Sequence, residues 1–188
     1  MLAAPDAFAR ERKVLVMGDS LSAAYGLRPE QGWVALADAK SGKYDFHNAS
    51  ISGETSAGGR SRIADELGRV RPDIVVIELG ANDGLRGLPL KQMGANLGWM
   101  IGSAKAAGAR VLLIGLQLPP NFGAYASDFQ RSYALIAQRL DTGLIPHFLA
   151  PLGVERKWFQ ADNLHPVAEA QPLLADEVLA ALDALPVR

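Results

Sequence analysis

The sequence predicts a three-layer α/β fold in which helices cover both faces of a five-stranded parallel sheet. Apolar runs recur five times along the chain, and each is followed by a longer amphipathic stretch. Val, Ile and Leu dominate several of these runs with little alternation, which is typical of strands buried on both faces. Regular alternation of strand and helix in one chain indicates a parallel sheet. The predicted strands are Lys13–Met17, Phe46–Ile51, Asp73–Leu79, Arg110–Leu116 and Leu144–Leu149.

Helix signals occupy the segments between the predicted strands. Capping residues and prolines mark where helices begin, and apolar residues at helical spacing mark their buried faces. The Pro- and Gly-rich segment Gln117–Tyr125 is expected to form an ordered loop after the fourth strand. The predicted helices run from Thr55 to Val70, from Pro89 to near Gly108, from Ser127 or Asp128 to Leu140, and from Pro166 to just before Pro186.

Composition limits the classes of function. The 188 residues are 49% apolar and 21% charged, as in an ordinary globular protein. The formal net charge is -1 and no Lys/Arg run stands out, so nucleic acid and anionic membrane are not expected partners. The absence of cysteine excludes disulfides, a thiol nucleophile and thiolate metal sites. No apolar stretch approaches the ~18 residues that span a bilayer, so stable membrane insertion is not expected.

The first twelve residues are expected to be a leader, followed by one domain over residues 13–188. Ala7-Phe8-Ala9 has the small-x-small form of a signal-peptidase site, but neither a basic region nor a long apolar core precedes it. The leader is therefore either the remnant of a trimmed export signal or a disordered terminal segment.

Polar, glycine-rich segments follow the first three predicted strands. They are Gly18–Ser20, Ser52–Glu54 and Gly80–Gly84. In a doubly wound sheet, ligands bind outside the carboxyl ends of the strands. We therefore expect these three segments to lie side by side at a functional site.

Ser20 is the candidate nucleophile, at the start of the predicted first helix. A serine hydroxyl needs a neighbouring base to attack at neutral pH. His165 is the candidate base, because it lies in a polar loop three residues after Asp162, whose carboxylate can fix the imidazole tautomer. Of the other two histidines, His47 is placed inside the second strand, far from its carboxyl end, and His147 on the apolar face of the fifth.

Three donors are available for an oxyanion. They are the backbone N–H groups of Ser20 and Gly53 and the side-chain amide of Asn82. Each motif has a simpler explanation when taken alone. Gly-Asp-Ser can be a helix cap, Asp-x-x-His a solvated turn or two metal ligands, and Asn-Asp a turn. Their combination at the ends of consecutive strands favours a serine hydrolase.

Four blocks in this order resemble the SGNH, or GDSL, hydrolases from about Lys13 to the end of the chain. They are Gly18–Leu21, Gly53, Gly80–Asp83 and Asp162–His165. Longer segments are similar to a bacterial periplasmic group of multifunctional thioesterase, lysophospholipase and arylesterase proteins. These segments are Asn48–Ser56, Glu78–Gly87 and Leu118–Gly123.

The resemblance implies a flavodoxin-like strand order of 2-1-3-4-5, no cofactor and no metal. It implies hydrolysis of acyl esters and thioesters (arylesters, acyl-CoA and lysophospholipids) through an acyl-enzyme on Ser20, with Asp162 and His165 completing the triad. Small-molecule acyl substrates are the expected partners of a monomer that is periplasmic or secreted, or otherwise cytoplasmic. Acyl-chain contacts are expected from Leu85, Leu88, Leu118 and Phe122.

Two other functions stay open. A carbohydrate O-deacetylase would use the same triad with a small acetyl pocket. A nucleotide- or metal-binding module would use the same sheet edge, with Asp19, Asp83, Asp162 and His165 as metal ligands. The turn after the first strand lacks the Gly-x-Gly-x-x-Gly pattern through which a pyrophosphate approaches the backbone, which disfavours a nucleotide.

Overall fold

The structure is a computed structural model that describes residues 10–186. The predicted signal-peptidase motif Ala7-Phe8-Ala9 lies outside the described residues. All five strands are parallel and follow the order β2-β1-β3-β4-β5, which confirms the expected sheet. The strands are β1 (Arg12–Gly18), β2 (Tyr44–Asn48), β3 (Ile74–Glu78), β4 (Arg110–Ile114) and β5 (Gly143–Ile145).

Helices cover both faces of the sheet. α1 packs against α6, while α2 packs against α4 and α4 against α5. Short 3-10 turns connect several of the elements. The helices are α1 (Trp33–Ser41), α2 (Ser56–Val70), α3 (Ala81–Leu85), α4 (Leu90–Ala106), α5 (Ala124–Leu140) and α6 (Gln171–Asp183).

The central strands are covered by helices on both sides, as their uninterrupted apolar sequence predicts. Val14–Met17 of β1 and Ile74–Ile77 of β3 are 0% exposed. α2 buries its predicted apolar positions, and Thr55 caps it by accepting a hydrogen bond from the N–H of Gly58 at 3.4 Å. These contacts fix the carboxyl ends of β1, β2 and β3 side by side. Within residues 10–186, no helix is both long and apolar enough to cross a bilayer.

Two strands end three or more residues earlier than predicted. β2 ends at Asn48 rather than Ile51, and β5 ends at Ile145 rather than Leu149. Pro146 follows Ile145, and a proline has no N–H with which to continue a ladder. His147 therefore lies in a loop and not on a strand face.

Three predicted helix starts are wrong. Ser20 begins a series of turns rather than a helix, since the first α-helix starts at Trp33. α5 begins at Ala124, directly after Gly123, whose φ of 58° and ψ of -134° break the preceding chain direction. α6 begins at Gln171 rather than Pro166, because Pro166 is paired as extended chain with Phe159.

Candidate active site

The three predicted polar segments meet at the carboxyl edge of the sheet. Ser20 follows β1, Gly53 lies between β2 and α2, and Asn82 lies in α3, directly after β3. All three line one cavity together with His165, which comes from the loop before α6. The sheet topology thus brings together residues that lie far apart in the chain.

Ser20, His165 and Asp162 form an unbroken hydrogen-bonded series. Ser20 Oγ lies 2.8 Å from Nε2 of His165, and Nδ1 of the same ring lies 2.7 Å from Oδ2 of Asp162. The other carboxylate oxygen of Asp162 accepts the backbone N–H groups of Leu164 and His165, at 2.9 and 3.0 Å. Asn163 adopts a φ of 59° within this turn, a conformation that Asn tolerates better than most residues.

The environment of Asp162 keeps its carboxylate ionised. Desolvation acts to raise its pKa, but the hydrogen bonds from the His165 ring and from the two backbone N–H groups outweigh it and lower the pKa to about 2. An ionised carboxylate at Nδ1 holds the proton on that nitrogen and leaves Nε2 free to accept the Ser20 proton. Tyr25 packs on the other side of the imidazole, with 4.4 Å between ring centroids.

Gly53 is required for its backbone conformation. Its φ is +80°, and a Cβ built at this position meets nothing within 4 Å. The glycine therefore serves the left-handed turn, and it lines the cavity beside Ser20. Arg86 donates a hydrogen bond to the Gly53 carbonyl at 3.1 Å and helps to hold the loop.

The Asn82 amide is held by two acceptors. Its Nδ2 lies 3.0 Å from Oδ2 of Asp19 and 3.0 Å from the carbonyl oxygen of Glu54. Burial raises the pKa of Asp19 to about 6, against the opposing effect of the Leu21 N–H and the charge of His165. Asp19 is therefore ionised at neutral pH and orients the amide. An oxyanion would be the third acceptor of Asn82, so it must share one of the two N–H groups with Asp19 or Glu54.

Asp83 was left open above as a metal ligand, but in the structure its carboxylate bonds the start of α2. Its two carboxylate oxygens accept the N–H and the O–H of Ser56, at 2.7 and 2.6 Å. Ser56 is the first residue of α2, so Asp83 caps that helix from α3 and ties the Gly53 loop to Asn82. In the part of the chain that the structure describes, no group of three or more acidic or histidine side chains is arranged to hold a metal ion.

An apolar cavity of about 230 Å³ opens beside Ser20. Of the four residues expected to contact an acyl chain, Leu85 and Leu118 line this cavity, whereas Leu88 and Phe122 do not. Leu88 is exposed, and the Phe122 ring packs against Tyr125. Several further apolar lining residues were not predicted from the sequence. These are Leu21, Tyr25, Leu116, Pro119, Leu149 and Leu164.

The missed lining residues differ in how far the sequence could have indicated them. Leu21 and Leu164 stand inside the Gly-Asp-Ser-Leu and Asp-x-x-His blocks, so their closeness to the site could have been inferred. Leu149 follows the fifth strand by four residues, and no local pattern distinguishes it from a core leucine.

The other two histidines lie away from this cavity. His47 is the penultimate residue of β2, so its predicted distance from the carboxyl end is wrong, and its Nε2 lies 3.1 Å from Oδ2 of Asp45. His147 is half-buried, and burial lowers its pKa. Neither histidine is within hydrogen-bond distance of Ser20.

A doubly wound sheet with a serine, an imidazole and a carboxylate in series beside an apolar cavity defines a hydrolase of acyl compounds. Comparison with known proteins makes the assignment more specific. The sequence profile of the GDSL-like lipase/acylhydrolase family matches residues 16–171, and the chain belongs to that family.

The chain is similar to characterised and solved relatives over most of its length. It is 48% identical to Esterase TesA of Pseudomonas aeruginosa over 175 residues, which cover 90% of this chain and 87% of the relative. It is 39% identical to Thioesterase 1/protease 1/lysophospholipase L1 of Escherichia coli K12 over 165 residues, covering 87% and 79%. A crystal structure of TesA superposes with a TM-score of 0.87 at 48% identity, covering 91% of this chain and 98% of that one.

Proposed function

We propose that the chain hydrolyses carboxylic esters and thioesters of apolar acids through an acyl-enzyme on Ser20. The observation that carries this proposal is the Ser20–His165–Asp162 series, with spacings of 2.8 and 2.7 Å, at the mouth of an apolar cavity. A nucleophile, its base and the group that orients the base are then within hydrogen-bond reach before any substrate binds.

Acylation begins when Ser20 Oγ attacks the acyl carbonyl carbon while His165 Nε2 takes the hydroxyl proton. Asp162 stabilises the imidazolium that forms. Collapse of the tetrahedral intermediate breaks the bond to the leaving alcohol or thiol, and His165 returns its proton to that group. Water then repeats the sequence on the acyl-serine, which releases the carboxylic acid and restores the Ser20 hydroxyl.

Three donors stabilise the negative charge on the carbonyl oxygen. The N–H groups of Ser20 and Gly53 and the Asn82 amide all border the cavity beside the nucleophile. Asn82 contributes without a competing charge, and its orientation is already fixed by Asp19 and Glu54. A donor fixed in advance needs no reorganisation as the charge develops.

The substrate class follows from the cavity walls. Leucines dominate the lining, and within residues 10–186 no lysine or arginine takes part in it. Such walls suit a hydrocarbon chain. The polar side chains that a sugar hydroxyl would need are few outside the catalytic groups, chiefly Ser52 and Gln117. The names of the relatives, an esterase and a thioesterase/lysophospholipase, support both oxygen and sulfur leaving groups.

Ser20→Ala tests the reaction. We expect hydrolysis of p-nitrophenyl octanoate to fall at least about 10³-fold, and covalent labelling by a fluorophosphonate probe to disappear. Ser132→Ala is the matched control, since Ser132 is a half-buried serine on α5 that does not line the cavity and whose hydroxyl donates to the Asp128 carbonyl. Hydrolysis by Ser20→Ala at a rate near that of the wild type would refute the proposal.

A chain-length series tests the substrate class against the O-deacetylase alternative. Each buried methylene contributes at most ~0.8 kcal/mol, so kcat/KM should rise by up to about fourfold per methylene from acetyl to octanoyl esters. Acyl-CoA thioesters of the same lengths should show the same trend. A kcat/KM that falls with chain length would instead favour deacetylation.

The periplasm is the proposed location. The likeness of Asn48–Ser56 and Glu78–Gly87 to a periplasmic group of enzymes supports it. Fractionation of the source cells, with activity followed by the fluorophosphonate label, tests the location. Label confined to the cytoplasmic fraction would contradict it.

A further inference from the structure

Glu78 is a fully buried acid that the reaction described above does not use. It is the last residue of β3, it is 0% exposed, and its register partner on β1 is Gly18. The nucleophile follows Gly18 by two residues. Glu78 therefore lies underneath the turn that presents Ser20 to the cavity.

One carboxyl oxygen of Glu78 contacts the residues on both sides of Ser20. Its Oε2 lies 2.8 Å from Ser22 Oγ and 3.3 Å from the backbone nitrogen of Asp19. Trp33, fully buried in α1, donates its indole N–H to Ser22 Oγ at 3.2 Å. Glu78 thus anchors the turn from the β3 side, in addition to the hydrogen bond that the turn receives from β2.

The other carboxyl oxygen, Oε1, is buried and has no hydrogen-bond partner. The titratable groups facing Glu78 are Asp19 on the turn and Tyr133 on α5, and neither carries a positive charge. Within residues 10–186, Glu78 forms no ion pair with a lysine, an arginine or a histidine. A buried carboxylate with an orphan oxygen beside a second carboxylate is a costly arrangement, which protonation relieves.

We propose that Glu78 is a positioning residue that holds the Ser20 turn as an uncharged carboxylic acid. This inference rests on the proposed role of Ser20 as nucleophile. With its proton on Oε1, Glu78 keeps Oε2 as the acceptor of the Ser22 hydroxyl and the Asp19 N–H, and the unpaired O–H on Oε1 costs less than an orphan charge. The acid thus fixes the turn without placing a second negative charge beside the developing oxyanion.

The charge state of Glu78 has consequences for pH dependence. Burial, and secondly the charge of Asp19, raise the pKa of Glu78 well above its ordinary value. Ionisation at high pH would place two carboxylates against each other under the turn, so kcat should decline on the alkaline side. Because the folded protein holds this proton more tightly than the unfolded chain, the stability linked to Glu78 falls as the pH rises above about 4.5.

Glu78→Gln and Glu78→Leu separate the hydrogen bonds from the charge. Gln keeps a neutral polar group of the same shape, so kcat should stay within about threefold of the wild type and the alkaline decline should disappear. Leu removes the anchor of the turn, so kcat should fall by about 10- to 100-fold with KM changed less. The thermal midpoint of Glu78→Gln should exceed that of the wild type by a margin that grows from about pH 5 to about pH 8.

Infrared difference spectra test the protonation directly. The spectrum of the wild type minus that of Glu78→Gln should contain the band of a protonated carboxylic acid at neutral pH. Glu177→Gln identifies the separate band of Glu177, whose pKa burial raises to about 7. Thr142→Val is the matched control, since Thr142 also has a buried hydroxyl without a partner but lies at the opposite edge of the sheet, before β5. It should change neither the spectrum nor the pH profile.

Two results would overturn the inference. One is the absence, at neutral pH, of the carboxylic acid band that belongs to Glu78. The other is a loss of kcat in Glu78→Gln that equals the loss in Ser22→Ala. Ser22→Ala removes the same hydrogen bond by a smaller change, so it serves if Glu78→Leu does not fold. The spectrum does not depend on catalysis, so failure of this inference is distinguishable from failure of Ser20→Ala to abolish labelling.

Discussion

Replacing Asp162 with Asn is expected to remove most of the catalytic rate while the fold stays intact. Asp162 uses one oxygen for two backbone N–H groups and the other for the imidazole. An Asn keeps both backbone hydrogen bonds only if its carbonyl oxygen replaces the Asp162 oxygen that accepts the two N–H groups. Its NH2 group then faces Nδ1 of His165 and donates to it.

That orientation is favoured, because it keeps two hydrogen bonds of ~1 kcal/mol each where the flipped amide keeps one. With Nδ1 as acceptor, the ring proton sits on Nε2, the nitrogen that must accept the Ser20 proton. The neutral amide also fails to stabilise the imidazolium. The wrong tautomer in a serine protease triad lowers kcat by ~10⁴.

The expected loss here is smaller. The Asp162 side chain is 40% exposed, so water can partly replace it beside the ring. We expect kcat to fall about 10³-fold, equivalent to about 4 kcal/mol of activation free energy. KM should change little, because Asp162 does not line the cavity.

Steady-state hydrolysis of p-nitrophenyl octanoate measures both parameters, and thermal unfolding checks the fold. Asp176→Asn is the control, since Asp176 is an exposed carboxylate paired with Lys40 on the surface. A tenfold or smaller fall in kcat for Asp162→Asn would mean that Asp162 does not set the tautomer of His165.

Three further substitutions probe the oxyanion site, the cavity and the cap of α2. Asn82→Ala should lower kcat by about 10²–10³-fold with KM almost unchanged in steady-state kinetics, and a loss below fivefold would exclude it as an oxyanion donor. Leu85→Trp should lower kcat/KM for octanoyl esters at least about tenfold while acetyl esters are spared; equal effects on both would place the acyl chain elsewhere. Asp83→Ala should destabilise the protein by about 2–4 kcal/mol in urea unfolding, because two buried donors of Ser56 lose their charged acceptor; an unchanged midpoint would contradict the cap.

The core of the sheet was predictable because its signal is local. An uninterrupted apolar run such as Val14–Met17 has no polar face, so both of its faces must be covered. The capping of α2 by Thr55 was equally local, since the side chain acts on an N–H three residues away. Such features depend on neighbours in the chain.

The predicted element boundaries were wrong where segments distant in the chain bond the backbone. Pro166 was predicted to start a helix, but the chain on either side of it pairs with residues 158–160, which follow β5. Gln160 donates to the His165 carbonyl at 2.8 Å, and Val167 donates to the Trp158 carbonyl at 2.9 Å. These bonds keep the chain extended to Val167, after which a 3-10 turn leads into α6, and they also hold His165 toward the cavity.

The residue types at the strand ends, and their order along the chain, were enough to predict the chemistry of the site. Glycine for a left-handed turn, a serine after a buried strand and a carboxylate three residues before a histidine are local requirements, so the sequence contained them. Distances between segments, burial and the sharing of protons arise only when the chain is packed. For that reason the contact of Ser20 with His165 across 145 positions, the leucines around the acyl cavity and the buried acid Glu78 beneath the nucleophile came from the folded structure.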